Sequence, residues 1–113
     1  MQRDRINIVS DVISKTREEN RVVKVAAPMV RYSRLPFRAT VREYGCDLCF
    51  TPMMMSDSFV RAASARLNEF DTFPLIDKPL VVQFAANNVE YAVAAAKMVY
   101  PWTSIADVLS VGQ

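Results

Sequence analysis

From Val22 onward, short β-branched apolar runs alternate with longer stretches whose apolar residues recur at helical spacing. That alternation predicts strands joined by crossover helices, and so a parallel sheet. Residues 22–26 form the first strand-like run, and Ala27-Pro28 ends it because proline has no N–H to give a ladder. Ser33 is placed to cap a helix running to Tyr44, with Pro36 tolerated in its first turn and Phe37, Val41 and Tyr44 on its apolar face. Gly45 then offers a left-handed stop. A second strand follows over residues 47–51, and Ser56 or Asp57 opens a helix that presents Phe59, Val60, Ala63 and Leu67. The run of residues 80–84 reads as a strand covered on both faces. Asn87 or Asn88 caps a third helix with Val89, Ala92, Val93, Ala96, Val99 and Tyr100 as its apolar positions, and Pro101 stops it.

Ahead of these units, Ile6, Val9 and Ile13 predict one side of a short helix, followed by a charged stretch at 15–21. The organisation expected is an amino-terminal arm, 1–21, and one α/β domain, 22–113, with Val108, Leu109, Ser110 and Val111 where a fourth strand falls due. About three βα units fall short of a closed (β/α)8 barrel, which takes roughly 250 residues. The pattern fits either a small open sheet or the amino-terminal part of such a barrel.

Composition changes this picture little. With 51% hydrophobic and 23% charged residues the chain lies on globular averages, and no apolar stretch is long enough to span a membrane. Met1 to Arg5 carry charge of both signs and lead into no long apolar core, so the protein is expected to be intracellular, in the cytoplasm. A net charge of +2 is too small to argue nucleic-acid binding from the whole-molecule field. Cys46 and Cys49 make a C-x-x-C, but a zinc site needs further ligands and the chain has no histidine and no third cysteine. A strand through them would send the thiols to opposite faces as buried, reduced core residues. The missing histidine also excludes Ser-His-Asp and Cys-His catalysis within these residues.

Candidate chemistry lies at the carboxyl ends of the strands, where ligands sit in barrels and open α/β sheets alike. The turn Ala27-Pro28-Met29-Val30-Arg31 offers backbone groups to a flat ring, or is a plain βα connection. Met53, Met54 and Met55 suit an aromatic cofactor or simply fill the core. Gln83, an amide within an apolar strand, requires partners for its donors and acceptor, which a ligand with carbonyl and N–H edges would supply. Arg31, Arg34, Arg38 and Arg42 recur every three or four residues, as a stripe able to meet phosphates or as a solvated face paired with acids such as Glu43.

Three runs carry a resemblance: residues 25–38 (VAAPMVRYSRLPFR), 44–53 (YGCDLCFTPM) and 79–87 (PLVVQFAAN). Together and in this order they resemble the tRNA-dihydrouridine synthases, with Met-Val-Arg-Tyr-Ser and Gln-Phe-Ala-Ala-Asn similar to the eukaryotic 20a/20b branch. The resemblance implies a TIM barrel holding FMN and a separate helical domain that grips tRNA. It implies that Pro28, Met29 and Val30 line the flavin ring and that Gln83 hydrogen-bonds it; from the spacing of the stripe, Arg31, Arg34 and Arg38 are the candidate nucleic-acid contacts. The reaction implied is reduction of a uridine C5–C6 double bond in tRNA, with NADPH or NADH as reductant and the base flipped to reach the ring. Family members carry an Asn-Cys-Gly-Cys-Pro motif after strand four whose cysteine is the general acid; residues 107–113 (DVLSVGQ) stand there instead. The expectation is therefore a truncated family member with no catalytic residue of its own, inactive alone and prone to self-association through open strand edges. A non-catalytic tRNA binder and a flavin barrel of the dihydroorotate dehydrogenase type are the alternatives.

Overall fold

The computed structural model describes residues 8–103 and 105–110. In chain order these form α1 (Ile8–Glu18), β1 (Val25–Ala26), α2 (Leu35–Glu43), β2 (Leu48–Phe50), β3 (Met54–Met55), α3 (Ser56–Arg61), α4 (Ala63–Glu69), β4 (Leu80–Ala86), α5 (Val89–Val99) and β5 (Ile105–Ser110). Every strand pairing is parallel. β1 pairs with β2, β4 pairs with both β2 and β3, and β5 runs the length of the remaining edge of β4, from Val81↔Ile105 to Ala86↔Ser110. Because β5 fills that edge, β2 and β3 must share the other, as two pieces of one interrupted strand.

Pro52 explains the interruption. The Thr51 N–H still donates to Val81 O at 2.9 Å, but proline cannot donate to β4, so the ladder lapses after that bond and resumes at Met54. The hydroxyl of Thr51, 1% exposed, takes over by accepting the Gln83 N–H at 3.0 Å. The strands therefore follow one another across the sheet in sequence order. A doubly wound sheet reverses direction at a switch point, whereas sequential order is the winding of a barrel.

The helices support that reading by lying on one face. Phe59 of α3 and Ala95 and Val99 of α5 pack with Cys49, Leu80, Val82 and Phe84 in one core cluster. The Phe59 and Phe84 rings meet edge to face at 5.0 Å. Since side chains alternate along a strand, Val81, Gln83 and Ala85 point to the opposite face, which in a barrel is the inner one. All seven residues of β4 are buried, Gln83 among them, as a run apolar but for that amide predicts.

Several boundaries and faces differ from the sequence expectation. β1 keeps only two residues of the run 22–26, and Val22 is 80% exposed, because an outer strand needs only enough ladder to join its single neighbour. The helix through Phe59 breaks at Ala62, and Leu67 beyond the break is exposed. Tyr44 and Val89 are exposed too, since each stands at a helix end that overhangs the sheet. Ile13 is exposed as well; Thr16, nearly fully buried, is the inward residue of α1, and Ile6 and Val111 lie outside the described residues.

Helix stops agree with local chemistry. Gly45, at φ 94°, closes α2 through Gly45 N–H to Arg42 O and Cys46 N–H to Val41 O, and Asn20, at φ 56°, closes α1 with the same pair of bonds to Arg17 and Thr16. Asn88 is the cap of α5, its side chain accepting from Tyr91 N–H at 2.8 Å. Ser33 does not cap α2. Its hydroxyl is spent on Met29, and the Leu35 N–H is taken instead by the carboxylate of Asp71 at 3.3 Å.

Candidate active site at the carboxyl ends of the strands

The turn after β1 is drawn tight by one serine. Met29 N–H donates to Ser33 Oγ at 2.8 Å, the hydroxyl donates back to Met29 O at 3.1 Å, and the N–H groups of Tyr32 and Ser33 also reach that carbonyl. Met29's own backbone groups are thus occupied internally, and what the turn presents outward is side chain: Met29, Val30 and Tyr32 are all exposed. Arg31, exposed at its tip, holds φ 75°, a left-handed conformation that costs a non-glycine residue about 1 kcal/mol.

Across the sheet, Gln83 is 7% exposed and donates from Nε2 to Asp107 Oδ2 at 2.9 Å. β4 and β5 set this pair, because Gln83 and Asp107 are direct partners in the parallel register and so share the face away from the helices. The carboxylate takes one N–H and thereby fixes which end of the amide points where. Asp107 went unassigned in the sequence because its value lies in a partner 24 residues away; a lone aspartate in an apolar run was the only signal.

The structure brings Gln83 together with Asp107 but leaves the 28–30 turn two strands off, since β2 stands between β1 and β4. At ordinary strand spacing that is about 10 Å. One ligand contacting both must span that distance. An apolar turn on one side and an amide with a free carbonyl edge on the other suit a fused ring with an imide, so the residues present fit FMN. Of the three methionines, Met54 is 2% exposed and belongs to the core, whereas Met55 is exposed beside the same strand ends.

The arginine stripe is not a stripe. Arg38 is wholly buried, with Nε and Nη2 on Asp77 Oδ2 at 3.0 and 2.7 Å, Nη1 on Ser33 O at 2.6 Å, and Nη2 also on Asp71 O. Arg42 joins it, donating to Asp77 Oδ1 at 2.9 Å and to the carbonyls of Lys78 and Pro79. Arg38 therefore cannot meet a phosphate, and neither phosphate contact nor solvent describes it: it ties α2 to the segment that leads into β4. Burial works against the Asp77 carboxylate, but the hydrogen bonds and charge of Arg38, with Thr72 and Arg42, outweigh it and hold the group below the usual carboxylate range. Arg34 is partly exposed and near Asp71 at 3.5 Å, which leaves Arg31 as the stripe's exposed member at the strand ends.

The two thiols also sit otherwise than expected. Cys46 precedes β2 rather than lying in it, so alternation does not separate them, and their sulfurs are 3.8 Å apart. Both are free; Cys49 is buried and Cys46 only partly so. Burial pushes the Cys49 thiol up to about 12. A hollow of about 540 Å³ lined by Phe59, Phe70, Met98 and Trp102 lies in the helical layer, away from the strand ends.

A parallel sheet wound in sequence order, helices packed on one face and a polar pair on the other face, midway along β4 and β5 and beyond the level where β1 and β2 end, define a barrel-type α/β protein. The dihydrouridine synthase (Dus) family model matches residues 25–108, and the chain belongs to that family. It is 51% identical over 87 residues to the human tRNA-dihydrouridine(20a/20b) synthase [NAD(P)+]-like protein, covering 77% of this chain and 27% of that one. To the tRNA-dihydrouridine(20a/20b) synthase [NAD(P)+] of Saccharomyces cerevisiae it is 42% identical over 92 residues, 80% of this chain and 25% of the yeast protein. The tRNA-dihydrouridine(16/17) synthase [NAD(P)(+)] of the same yeast is 41% identical over 81 residues, 70% of this chain and 19% of that protein. The chain thus spans about a quarter of the length of the 20a/20b relatives it matches. No solved structure matches it. Among the described residues no helix is long and apolar enough to cross a membrane.

Proposed function

We propose that this chain supplies the flavin-facing first quarter of a tRNA-dihydrouridine(20a/20b) synthase, an enzyme working inside the cell on tRNA. The observation that carries this is the Gln83–Asp107 pair, midway along β4 and β5 and beyond the level where β1 and β2 end, across from an apolar turn, in a chain 51% identical to a 20a/20b relative. In this reading Pro28, Met29 and Val30 give the isoalloxazine an apolar wall, and Gln83, oriented by Asp107, offers its carbonyl oxygen and second N–H to the imide edge. The chemistry that bound FMN supplies, once reduced by NADPH or NADH, is hydride delivery to the uridine C5–C6 double bond. Arg31 faces the tRNA backbone beside the flipped base.

The 113 residues include no cysteine beyond Cys49; Cys46 precedes β2 and Cys49, in its middle, is buried in the core against the helices, so neither is placed to protonate the uracil carbon. The isolated chain is accordingly expected to bind flavin weakly and to form no dihydrouridine. Titration of FMN against the purified chain, followed by flavin fluorescence, tests the reading. Saturable quenching that weakens about fivefold to tenfold in Gln83→Ala, the worth of one hydrogen bond, is expected. Quenching indifferent to that substitution would remove Gln83 from the site.

A further inference from the structure

The C-x-x-C lies outside everything the proposed flavin site uses. It stands where α2 ends and β2 begins, at the amino end of the sheet, while the candidate site is at the carboxyl end. We propose that Cys46 and Cys49 form a thiol–disulfide modification site, in which a small-molecule disulfide such as oxidised glutathione converts the pair into an intrachain disulfide.

Geometry carries the proposal. The sulfurs are 3.8 Å apart, in van der Waals contact with no atom between them, and a disulfide needs about 2.05 Å, so the bond forms when they close by about 1.8 Å. The two thiols are unequal: Cys46 is partly open to solvent, directly after the exposed Gly45, and Cys49 is 0% exposed within the core cluster. Only weak contacts hold Cys46 Sγ, to Leu48 O at 3.4 Å and Lys24 O at 3.5 Å, so little is lost when it turns. An outer thiol that meets the oxidant and an inner one that resolves the adduct is the arrangement thiol–disulfide exchange requires.

The electrons balance in two steps. The Cys46 thiolate attacks one sulfur of the small disulfide, forming a mixed disulfide and releasing one small thiol. The Cys49 thiolate then attacks Cys46 Sγ, forming the Cys46–Cys49 bond and releasing the second small thiol. Two protein thiols are oxidised, one disulfide is reduced, and the protons leave on the released thiols. Because the inner thiol is buried and seldom ionised, the second step is the slower, and the mixed disulfide accumulates before it closes. The product bridges the end of α2 to β2 around Asp47, the residue that holds Arg21 and the Lys24 N–H.

The test is a time course of the native 113-residue chain with oxidised glutathione, quenched in acid and read by intact mass. A single glutathione adduct should appear first and give way to a protein lacking two hydrogens and carrying no adduct. Cys49→Ser should stop at the adduct, and Cys46→Ser should react at least about tenfold more slowly than the unaltered chain. A chain that stays reduced, that keeps its adduct without closing, or that takes one adduct on each thiol would overturn the proposal. The unaltered chain alone decides between these outcomes, whether or not either variant folds.

Discussion

The two ends of the sheet are built from different materials. At the amino ends, charge and hydroxyls lock the segments that lead into the strands: Arg21 on Asp47 before β2, Arg38 and Arg42 on Asp77 before β4, and Thr103 Oγ1 on Leu80 O before β5. At the carboxyl ends the exposed side chains are Met29, Val30, Tyr32 and Met55 and a strained Arg31 stands at the tip, while one polar pair, Gln83–Asp107, stands midway along β4 and β5 on the sheet face away from the helices. The contrast teaches that polar groups serve opposite purposes at the two ends. Those in the amino-end locks satisfy one another, so no described buried side-chain nitrogen or oxygen lacks a partner. Gln83 retains a free edge.

The comparison breaks most readily at Asp77. Replacing it with alanine leaves Arg38 buried without its counter-charge, and the loss should be about 3 kcal/mol or more, read as a lowered denaturation midpoint at unchanged slope. Acid should attack the same end. Asp77 and Asp47 are both held below the usual carboxylate range in the folded chain, Asp47 at about 2 by Arg21 and the Lys24 N–H. A depressed folded value means the stabilisation is full above the unfolded pKa, near 4, and disappears as pH falls through the folded value. Melting temperature should therefore hold between about pH 5 and 7 and drop steeply below about pH 4, and Asp77→Asn should flatten that drop. A smaller effect is expected at the cap of α5, where Asn88→Ala should cost about 1 kcal/mol in the same denaturation experiment. Smallest, and opposite in sign, is Arg31→Gly. Glycine adopts φ 75° without strain, so stability should rise by up to about 1 kcal/mol while the salt dependence of tRNA binding becomes shallower.

The sequence showed the order of elements well, because strand runs such as 80–84 and stops such as Gly45 and Asn88 are local chemistry. It showed the family and, through Gln83, half of the polar pair at the site. It misplaced what depends on distant partners. Arg38 has the spacing of an exposed stripe, and only Asp77, 39 residues on, makes it a buried tie. Ser33 looks like a cap until Met29 claims its hydroxyl, and Cys46 looks like a strand residue until the turn at Gly45 delays β2 by two positions. Asp107 was invisible for the same reason, since register, not spacing, brings it to Gln83.

The division of labour between the two ends is tested most directly by following the backbone amides of the chain by NMR during a titration with FMN. The account predicts shifts concentrated at Met29 to Ser33, Gln83 and Asp107, with Asp47, Asp77 and Thr103 unmoved. Shifts centred on the amino-end locks or on the Phe59–Trp102 hollow, or none at all, would contradict it.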